Sequence, residues 1–348
     1  MGDLIGAVLL TKASTGEILV YVSNPGYDGN VFYNRIDREV FRRIQEDPAK
    51  PLFNRAIQAM YPPSSVFKLV TTAAGLESAR LHPRVQHTCD GGYLLGDRYF
   101  GCWSVHHTQN LYGAIATSCN VYFYRASLEI GSQRILDLAR QFGLGQRTGI
   151  DLMAESSGFV PTREWKHQTA GRPWLDGDTL NLSIGQGDIL VTPIQVNLLT
   201  MAIANEGPAY RPYLLKEVRH HLYPDVVEVF EGGELHYNVE LGAETFAVLK
   251  RGMRQAVTAG TARACDFHDF EISGKTGTAQ NVHGEPHAWF SGFVSDSAID
   301  AAERVVVTVL GENAGGGGGI AAPIAARVLR AWHTKYVLGR PLLTDLGY

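Results

Sequence analysis

Ser65 and Lys68 are the first residues along the chain whose types and spacing could perform nucleophilic chemistry. Side chains three positions apart lie on one face of a helix, so the amine would lie one turn from the hydroxyl. A lysine whose pKa is lowered by burial and neighbouring cations could take the serine proton. A serine at a helix start also gains from the positive end of the helix dipole. Because Ser-x-x-Lys is expected about once by chance in a chain of this length, the pair alone is weak evidence.

Ser118 and Asn120 form a second candidate pair, in a loop between two predicted helices. Residues two positions apart in an extended segment point the same way, so a hydroxyl and an amide could be presented to one site. Taken alone, a serine and an asparagine at a helix boundary are more often caps than functional groups. The pair therefore gains meaning only in combination with other motifs.

Lys275, Thr276, Gly277 and Thr278 form a third motif, on a predicted strand. The lysine offers a cation for a substrate carboxylate, and the threonines offer hydroxyl groups. The glycine removes a side chain where another part of the backbone could approach closely. Ser-x-x-Lys, Ser-x-Asn and Lys-Thr-Gly each occur once, in that order and well separated. Their joint occurrence is far more specific than any one of them.

The predicted secondary structure places these motifs at a helix start, an inter-helix loop and a strand. Residues 7–22 predict a β-hairpin. Helices are expected at 65–79, 110–116, 120–130, 133–142, 193–205, 244–256 and 323–337, and late strands at 271–280, 287–294 and 304–311. The segment 148–187 reads as irregular, and the glycines 315–319 as a tight connection within the fold. Strands at both ends around a helical middle predict an α+β fold, with a mostly antiparallel sheet built from both termini and helices packed on it.

Composition limits the function classes. The 348 residues are 45% hydrophobic and 19% charged, which is typical of a globular protein. A net charge of -4 with no block of lysine or arginine argues against a nucleic-acid partner. No run of about 18 apolar residues occurs, and no signal peptide is recognisable. The abrupt entry into a strand after Met1 suggests a segment of a longer protein.

Together the three motifs resemble the signature of penicillin-binding proteins and class A β-lactamases. The rest of the sequence is similar to class B penicillin-binding proteins, most closely to their cell-elongation subgroup, almost from end to end. The similar segments are 15–19, 54–56, 61–63, 163–166, 177–179, 184–187, 192–195, 287–290 and 322–325. Ser64 departs from the family, which usually has glycine there, and is expected to perturb the loop and not the chemistry.

The resemblance implies a serine β-lactamase/transpeptidase-like fold, with 1–348 forming one transpeptidase domain. It also implies a longer protein whose N-terminal membrane anchor and pedestal domain are absent from this sequence, at the periplasmic face of a bacterial inner membrane. Its expected partners are peptidoglycan stem peptides, β-lactams, a membrane glycosyltransferase and the elongation machinery. No cofactor is expected for catalysis.

The resemblance also assigns roles in the first two motifs. Ser65 would attack the carbonyl between the last two D-alanines of a stem peptide, with Lys68 as general base. Ser118 would relay a proton to the leaving D-alanine, and Asn120 would bind the substrate amide. A second stem peptide's amine would then take the acyl group.

For the strand motif the resemblance implies substrate binding. Lys275 would hold Ser118 electrostatically and attract the terminal carboxylate, while Thr276 and Thr278 would hydrogen-bond to it beside Gly277. The backbone N–H groups of Ser65 and Thr278 would form an oxyanion hole, worth a few kcal/mol.

Three of the four cysteines lie close together in sequence. Cys89, Cys102, Cys119 and a histidine of the 106–107 pair have the ligand types and spacing of a tetrahedral Zn²⁺ site. Some elongation-type relatives carry zinc in the corresponding region, and the resemblance favours His106 over His107, because His106 keeps the family's distance to Asn110 and the Ser-x-Asn loop. The alternatives are a Cys89–Cys102 disulfide and a simply buried Cys119. A zinc ion here would be structural, and Cys265 is expected to be an isolated thiol.

Three other functions share the same acylation chemistry. A D,D-carboxypeptidase would use water as acceptor. A β-lactamase would need a carboxylate aimed at a deacylating water, and Glu155 and Glu164 are the only acids in the right stretch, neither in the Glu-x-x-x-Asn setting of class A enzymes. A non-catalytic β-lactam sensor is disfavoured by the elongation-type middle region.

Overall fold

The computed structural model describes residues 1–33, 37–222, 226–281 and 284–342. The helices are α1 Arg38–Glu46, α2 Lys68–Glu77, α3 Leu111–Ala116, α4 Asn120–Ile130, α5 Ser132–Gln141, α6 Arg163–Ala170, α7 Asp176–Ser183, α8 Pro193–Asn205, α9 Ala243–Thr258 and α10 Ala321–Trp332. The strands are β1 Gly6–Lys12, β2 Ile18–Asn24, β3 His87–Cys89, β4 Gly92–Leu95, β5 Arg98–Gly101, β6 His107–Gln109, β7 Pro208–Tyr210, β8 Glu217–Arg219, β9 Val226–Val229, β10 Leu235–Asn238, β11 Ile272–Ala279, β12 His287–Val294 and β13 Val305–Gly311.

Five strands form one antiparallel sheet in the order β11-β12-β13-β1-β2. Leu9 of β1 lies opposite Thr308 of β13 on one side and opposite Tyr21 of β2 on the other. The N-terminal hairpin therefore completes a sheet begun by the last strands of the chain. The predicted α+β fold, with an antiparallel sheet built from both termini, is confirmed. The edge strand at the C-terminal side is β11, which carries the Lys-Thr-Gly motif.

Helices cover both faces of this sheet. Because side chains alternate along a strand, Val306 and Leu310 of β13 join the core that contains α8, while Val307 and Val309 join the core that contains α10. Full burial of each such side chain stabilises the fold by roughly 1.5–3 kcal/mol. Packing on both faces fixes the sheet, and with it the position of β11.

Several predicted helix ends are confirmed by their capping bonds. In α8, Thr192 Oγ1 accepts from the Gln195 backbone N–H, and Gln195 Oε1 accepts from the Thr192 N–H at 3.0 Å. Asn110 Oδ1 caps α3 by accepting from the Gly113 N–H at 2.9 Å. Gly143, which follows α5, has the left-handed φ of 73° expected at such a helix end.

The start of α2 differs from the prediction. The α-helix begins at Lys68, and Ser65 lies before it in a 3-10 turn, Ser64–Val66. Ser64 has a φ of 50°, and its N–H donates to Gly185 O at 2.8 Å. This bond to a distant loop holds Ser64 in a left-handed conformation, so a regular helix does not continue back through residue 64.

The prediction that 148–187 is irregular is wrong for two stretches, because α6 and α7 lie within it. Thr162 Oγ1 caps α6, accepting from the Trp165 N–H at 2.9 Å. Lys166 on α6, which is buried, pairs with Asp178 at 3.4 Å and with Asp188 at 2.5 Å. These ion pairs depend on the tertiary arrangement, which hydrophobic periodicity does not report.

The predicted tight connection at 315–319 is confirmed, and it joins β13 to α10. A Cβ at Gly317 would lie 2.3 Å from the carbonyl oxygens of Gly277 and Trp289, so only glycine fits at that position. The closing helix predicted at 323–337 is shorter, since a π-helical turn, His333–Val337, follows α10. Among the described residues no helix has the length and apolar character needed to cross a bilayer.

Candidate active site

A cleft of about 710 Å³ opens along the free edge of β11. Residues of all three predicted motifs line it. They are Ser65, Ser118, Asn120, Thr276, Gly277 and Thr278. The motif lysines, Lys68 and Lys275, are fully buried behind this wall. The structure thus brings together segments that are more than 200 residues apart in sequence.

Ser65 projects from the turn before α2 and is partly exposed to the cleft. Within the part of the chain that the structure describes, neither its hydroxyl nor its backbone N–H has a hydrogen-bond partner. The turn is held by the bond from Ser64 N–H to Gly185 O, and a Cβ at Gly185 would lie 2.3 Å from Ser64 O. Position 65 is therefore a rigidly placed serine with its polar groups free.

Lys68 is buried one turn deeper on α2. Its Nζ donates to Ser118 O at 2.7 Å, to Asn120 Oδ1 at 2.7 Å and to Ser118 Oγ at 3.2 Å. Burial lowers the pKa of Lys68 to about 8, against an opposing effect of nearby cysteines. No hydrogen bond joins Lys68 to Ser65 among the described residues. The amine is thus aligned on the second motif, with a pKa that makes the neutral form accessible.

The second motif is a strained turn between α3 and α4. Ser118 has a left-handed φ of 58°, and Asn120 is the first residue of α4. Asn120 Nδ2 donates to Gly101 O at 3.2 Å, and its backbone N–H donates to Cys102 Sγ at 3.2 Å. This loop therefore connects the cleft to the hairpin formed by β4 and β5. The strain is of the kind that persists where surrounding contacts over-determine a site.

Lys275 lies inside the fold on β11 and is fully buried. Its Nζ donates to Thr276 O at 3.0 Å. Burial and the charge of Lys68 hold the pKa of Lys275 well below its usual range. No hydrogen bond joins Lys275 to Ser118 among the described residues, so any interaction between the two side chains would be a longer-range electrostatic one.

Thr276 and Thr278 lie on the cleft side of β11. Thr276 Oγ1 pairs with Thr261 Oγ1 at 2.5 Å, and Thr278 Oγ1 accepts from Gly317 N–H at 3.2 Å. A Cβ at Gly277 would lie 3.4 Å from Pro63 O, so the turn and the strand lie in near contact. The Thr278 backbone N–H donates to Ser64 Oγ at 3.0 Å. The prediction that Ser64 affects only the loop is therefore incomplete, since its hydroxyl reaches an expected oxyanion donor.

Four residues beside the cleft form what we call the cysteine cluster: Cys89, Cys102, His106 and Cys119. Their donor atoms all lie within 4.8 Å of one another, and the cluster is largely buried. His106 Nδ1 lies 3.4 Å from Cys102 Sγ and 3.6 Å from Cys89 Sγ. A hydrogen bond with Cys119 lowers the pKa of the Cys102 thiol to about 4 and raises that of Cys119.

The structure also bears on the alternatives for these cysteines. All four thiols are free, so Cys89 and Cys102 are not joined in a disulfide. His107 is exposed and outside the cluster, whereas His106 is inside it. Cys265 is an isolated buried thiol, as predicted, whose Sγ lies 3.4 Å from Ala322 O.

The sequence profile of the family described as Penicillin binding protein transpeptidase domain matches residues 6–330. The chain belongs to this family. Peptidoglycan D,D-transpeptidase MrdA of Haemophilus influenzae is 33% identical over 94% of the chain and 53% of the relative. This transpeptidase-family chain therefore spans about half the length of that curated relative.

Solved structures agree with this assignment. Penicillin-binding protein 2 of Pseudomonas aeruginosa, in complex with WCK 5153, matches with a TM-score of 0.84 and 31% identity, over 99% of this chain and 74% of that one. Penicillin-binding protein 2 of Helicobacter pylori, in complex with MreC, matches with a TM-score of 0.83 and 30% identity, over 97% of this chain and 61% of that one. The predicted likeness to class B, elongation-type members is confirmed.

The two acids considered for a deacylating base do not reach the cleft of this transpeptidase-family chain. Glu155 is buried, and its carboxylate accepts from the Thr148 N–H at 2.7 Å, the Thr148 hydroxyl at 2.6 Å and the Gly149 N–H at 3.1 Å. Glu164 is exposed and accepts from Gln168 Nε2 at 2.6 Å. Among the described residues, no carboxylate lines the cleft.

Sequence reasoning missed part of the cleft wall. Tyr99 and Trp103, both largely exposed, line the cleft from the β4–β5 hairpin and its continuation. Asn181 and Gln186 line it from α7 and the following loop. The segment 184–187 had shown family similarity, but without a role, and nothing in the spacing of Tyr99 or Trp103 marks them as wall residues.

Proposed function

We propose that the chain is a peptidoglycan D,D-transpeptidase domain that forms a serine acyl-enzyme and is acylated by β-lactams. The observation that carries this proposal is the placement of Ser65, whose free hydroxyl faces a cleft between a buried Lys68 and the edge of β11. The donor substrate would be a stem peptide ending in D-Ala-D-Ala. The name of the Haemophilus influenzae relative supports the activity, and the family description supports penicillin binding.

In the first step, Ser65 Oγ forms a bond to the carbonyl carbon between the two D-alanines while its proton passes to Lys68. The carbonyl electron pair moves onto the oxygen, which the N–H groups of Ser65 and Thr278 would stabilise. Collapse restores the carbonyl and breaks the C–N bond. The leaving nitrogen takes a proton through the Ser118 hydroxyl, which lies 3.2 Å from Lys68 Nζ.

In the second step, an amine of another stem peptide attacks the ester carbon and gives its proton to Lys68. Ser65 Oγ leaves and is reprotonated, so the enzyme is restored and a cross-link is formed. Asn120 and the threonines of β11 would orient the donor, and Lys275, in its protonated form, would attract the terminal carboxylate. With a pKa of about 8 for Lys68, roughly a tenth of the amine is neutral at pH 7.

The absence of a carboxylate from the described cleft wall favours a transpeptidase over a β-lactamase, because no carboxylate base there could activate a deacylating water. A D,D-carboxypeptidase differs only in its acceptor. Product analysis with donor and acceptor peptides separates cross-linking from simple hydrolysis.

The decisive experiment is an intact-mass measurement after incubation with benzylpenicillin, followed by peptide mapping. One adduct at Ser65 that persists for minutes is expected. Rapid turnover of nitrocefin would instead indicate a β-lactamase, and no adduct at all would refute the proposal.

We also propose that the cysteine cluster holds a structural Zn²⁺. With Zn–S near 2.3 Å and Zn–N near 2.0 Å, a tetrahedral site places nitrogen and sulfur ligands about 3.5 Å apart. The distances from His106 Nδ1 to the sulfurs of Cys102 and Cys89, 3.4 and 3.6 Å, fit that value. The metal would fix the loop that carries Ser118 and Asn120 and would take no part in the reaction. Metal analysis of protein purified without chelator should find about one zinc per chain, and none would refute the proposal.

For the whole protein, we propose a position at the periplasmic face of the bacterial inner membrane, anchored by a segment outside this sequence. The expected partners are a membrane glycosyltransferase and the elongation machinery. The Helicobacter pylori relative was solved with MreC, which supports an assembly of this kind. Co-purification of the full-length protein from membranes, with and without its anchor, tests this placement.

A further inference from the structure

Of the two backbone N–H groups expected to form the oxyanion hole, one is already hydrogen-bonded and the other is not. The Ser65 N–H has no acceptor within the described residues. The Thr278 N–H, in contrast, donates to the Ser64 hydroxyl at 3.0 Å. An oxyanion held between these two amides would need the position at Thr278 that Ser64 Oγ now takes.

The contact follows from how the turn meets the strand. Ser64 is 2% exposed and left-handed, with its N–H fixed on Gly185 O at 2.8 Å. A Cβ at Gly277 would lie 3.5 Å from Ser64 Cβ, so the side chain of residue 64 lies directly against β11. The backbone thus fixes Ser64 Cβ, and only rotation about the Cα–Cβ bond moves the hydroxyl away from Thr278.

We propose that Ser64 sets the rate of acylation by occupying half of the oxyanion hole before the reaction. The inference rests on the proposed transpeptidase function and adds a residue to it. As Ser65 Oγ bonds to the carbonyl carbon, the electron pair on the carbonyl oxygen needs the Thr278 N–H as a donor. The Ser64 hydroxyl must first release that N–H, so a hydrogen bond made in the free enzyme is lost in the transition state. Such an interaction slows the chemical step and does not weaken ground-state binding.

Removing the hydroxyl should therefore accelerate acylation. In Ser64→Ala the Cβ and the turn are kept while the acceptor is lost, and the first-order acylation rate constant should rise about 3–10-fold, the equivalent of one ordinary hydrogen bond. The dissociation constant of the non-covalent complex should change little. Ser64→Gly, which also relieves the left-handed strain, should be at least as fast.

The experiment measures acylation by a fluorescent penicillin over a range of concentrations, so that the rate constant and the dissociation constant separate. Ser157→Ala, an exposed serine outside the cleft, is the matched control and should react like the parent chain. Thermal unfolding identifies which variants are folded, and Ser64→Gly decides the matter if Ser64→Ala is not. An unchanged or lower rate constant in the folded variants overturns the inference. A parent chain that forms no adduct at Ser65 would instead overturn the proposed function.

Discussion

The cleft and the cysteine cluster are neighbours that share one loop but are held together in different ways. In the cleft, the buried amine of Lys68 has three protein acceptors, all from Ser118 and Asn120. In the cluster, the donor atoms mainly face one another, and His106 Nε2 is buried without a partner among the described residues. The buried amine of the cleft is therefore satisfied by protein acceptors, whereas the imidazole of the cluster is not.

This difference in hydrogen bonding predicts how substitutions in the cleft and in the cluster should affect the protein. A buried cation with matched acceptors is costly to disturb, because removing one partner leaves the others unpaired. A cluster of thiols and an imidazole gains most of its order when an ion satisfies them together. Asn120 links the two, since its side chain accepts from Lys68 and its N–H donates to Cys102 Sγ. Changes in the cleft should abolish chemistry, and changes in the cluster should weaken structure first.

The sharpest test of the cleft is Ser65→Ala. Because Ser65 is the one cleft serine among the described residues whose hydroxyl and N–H are both free, covalent labelling by fluorescent penicillin should disappear in the variant while the fold is kept. Thermal unfolding should shift by the equivalent of no more than about 0.5 kcal/mol, since the hydroxyl makes no internal bond. Ser157→Ala is the matched control and should label normally. Persistent labelling of the position-65 variant would refute Ser65 as nucleophile.

Lys68→Met should have the next largest effect. Methionine nearly fills the same volume but removes the base, so the acylation rate should fall about 10²–10⁴-fold. The Asn120 and Ser118 acceptors would lose their donor, so the melting temperature should fall as well. Lys216→Met, an exposed lysine paired with Glu17, should change neither quantity appreciably. A variant that acylates within about threefold of the parent would exclude Lys68 as general base.

Much of the cleft was predictable because its motifs depend on local spacing. The position of Ser65 near a helix start, of Asn120 at another and of Lys275 on a strand all follow from patterns within a few residues. Their convergence was predictable only through family resemblance, since β11 meets the turn before α2 by tertiary packing. The apolar, β-branched run of β13, Val305–Gly311, likewise made that strand predictable, whereas the strand order of the sheet depends on long-range pairing.

What could not be predicted depends on contacts between distant segments. The left-handed Ser64 is held by Gly185, and its hydroxyl reaches Thr278, both more than 100 residues away in sequence. The short helix α6 is held by Lys166 and its ion pairs, and it carries little hydrophobic periodicity. The cluster's ligand types were visible in the sequence and the family resemblance favoured His106 over His107, whereas the closeness of the four donor atoms depends on tertiary packing.

A pH profile tests the electrostatics that distinguish the cleft from the cluster. Lys68 accepts a proton only when neutral, and burial lowers its pKa to about 8. The sign follows directly: acylation should rise about tenfold per pH unit up to about pH 8 and then level off. Two sets of titratable groups lie near Lys68. Lys275 has a lowered pKa of its own. The thiols of the cysteine cluster raise the pKa of Lys68 and so oppose the effect of burial. Benzylpenicillin acylation rates give the profile, with thermal unfolding at each pH as control. A flat profile from about pH 6 to about pH 9 would contradict the assignment of Lys68 as the base.

The cluster is tested by a matched pair of buried cysteines, Cys89→Ser and Cys265→Ser, since both thiols are fully buried and only Cys89 belongs to the cluster. Zinc content should fall from about one per chain to near zero in Cys89→Ser and stay unchanged in Cys265→Ser. Loss of an ion present at a thousand times its dissociation constant lowers the free energy of unfolding by about 4 kcal/mol. Acylation should slow by only about tenfold or less, because Asn120 is displaced but Ser65 and Lys68 are not.

Equal zinc contents in the two variants would show that the cluster holds no ion, and its order would then come from thiol packing alone. A loss of acylation as deep as that of Lys68→Met would show instead that the cluster is part of the catalytic machinery. The expected pattern, a large loss of stability with a small loss of rate, is what a metal that acts only through the Ser118–Asn120 loop must produce. The cleft would then carry out the reaction, whereas the cysteine cluster would only stabilise the loop that carries Ser118 and Asn120.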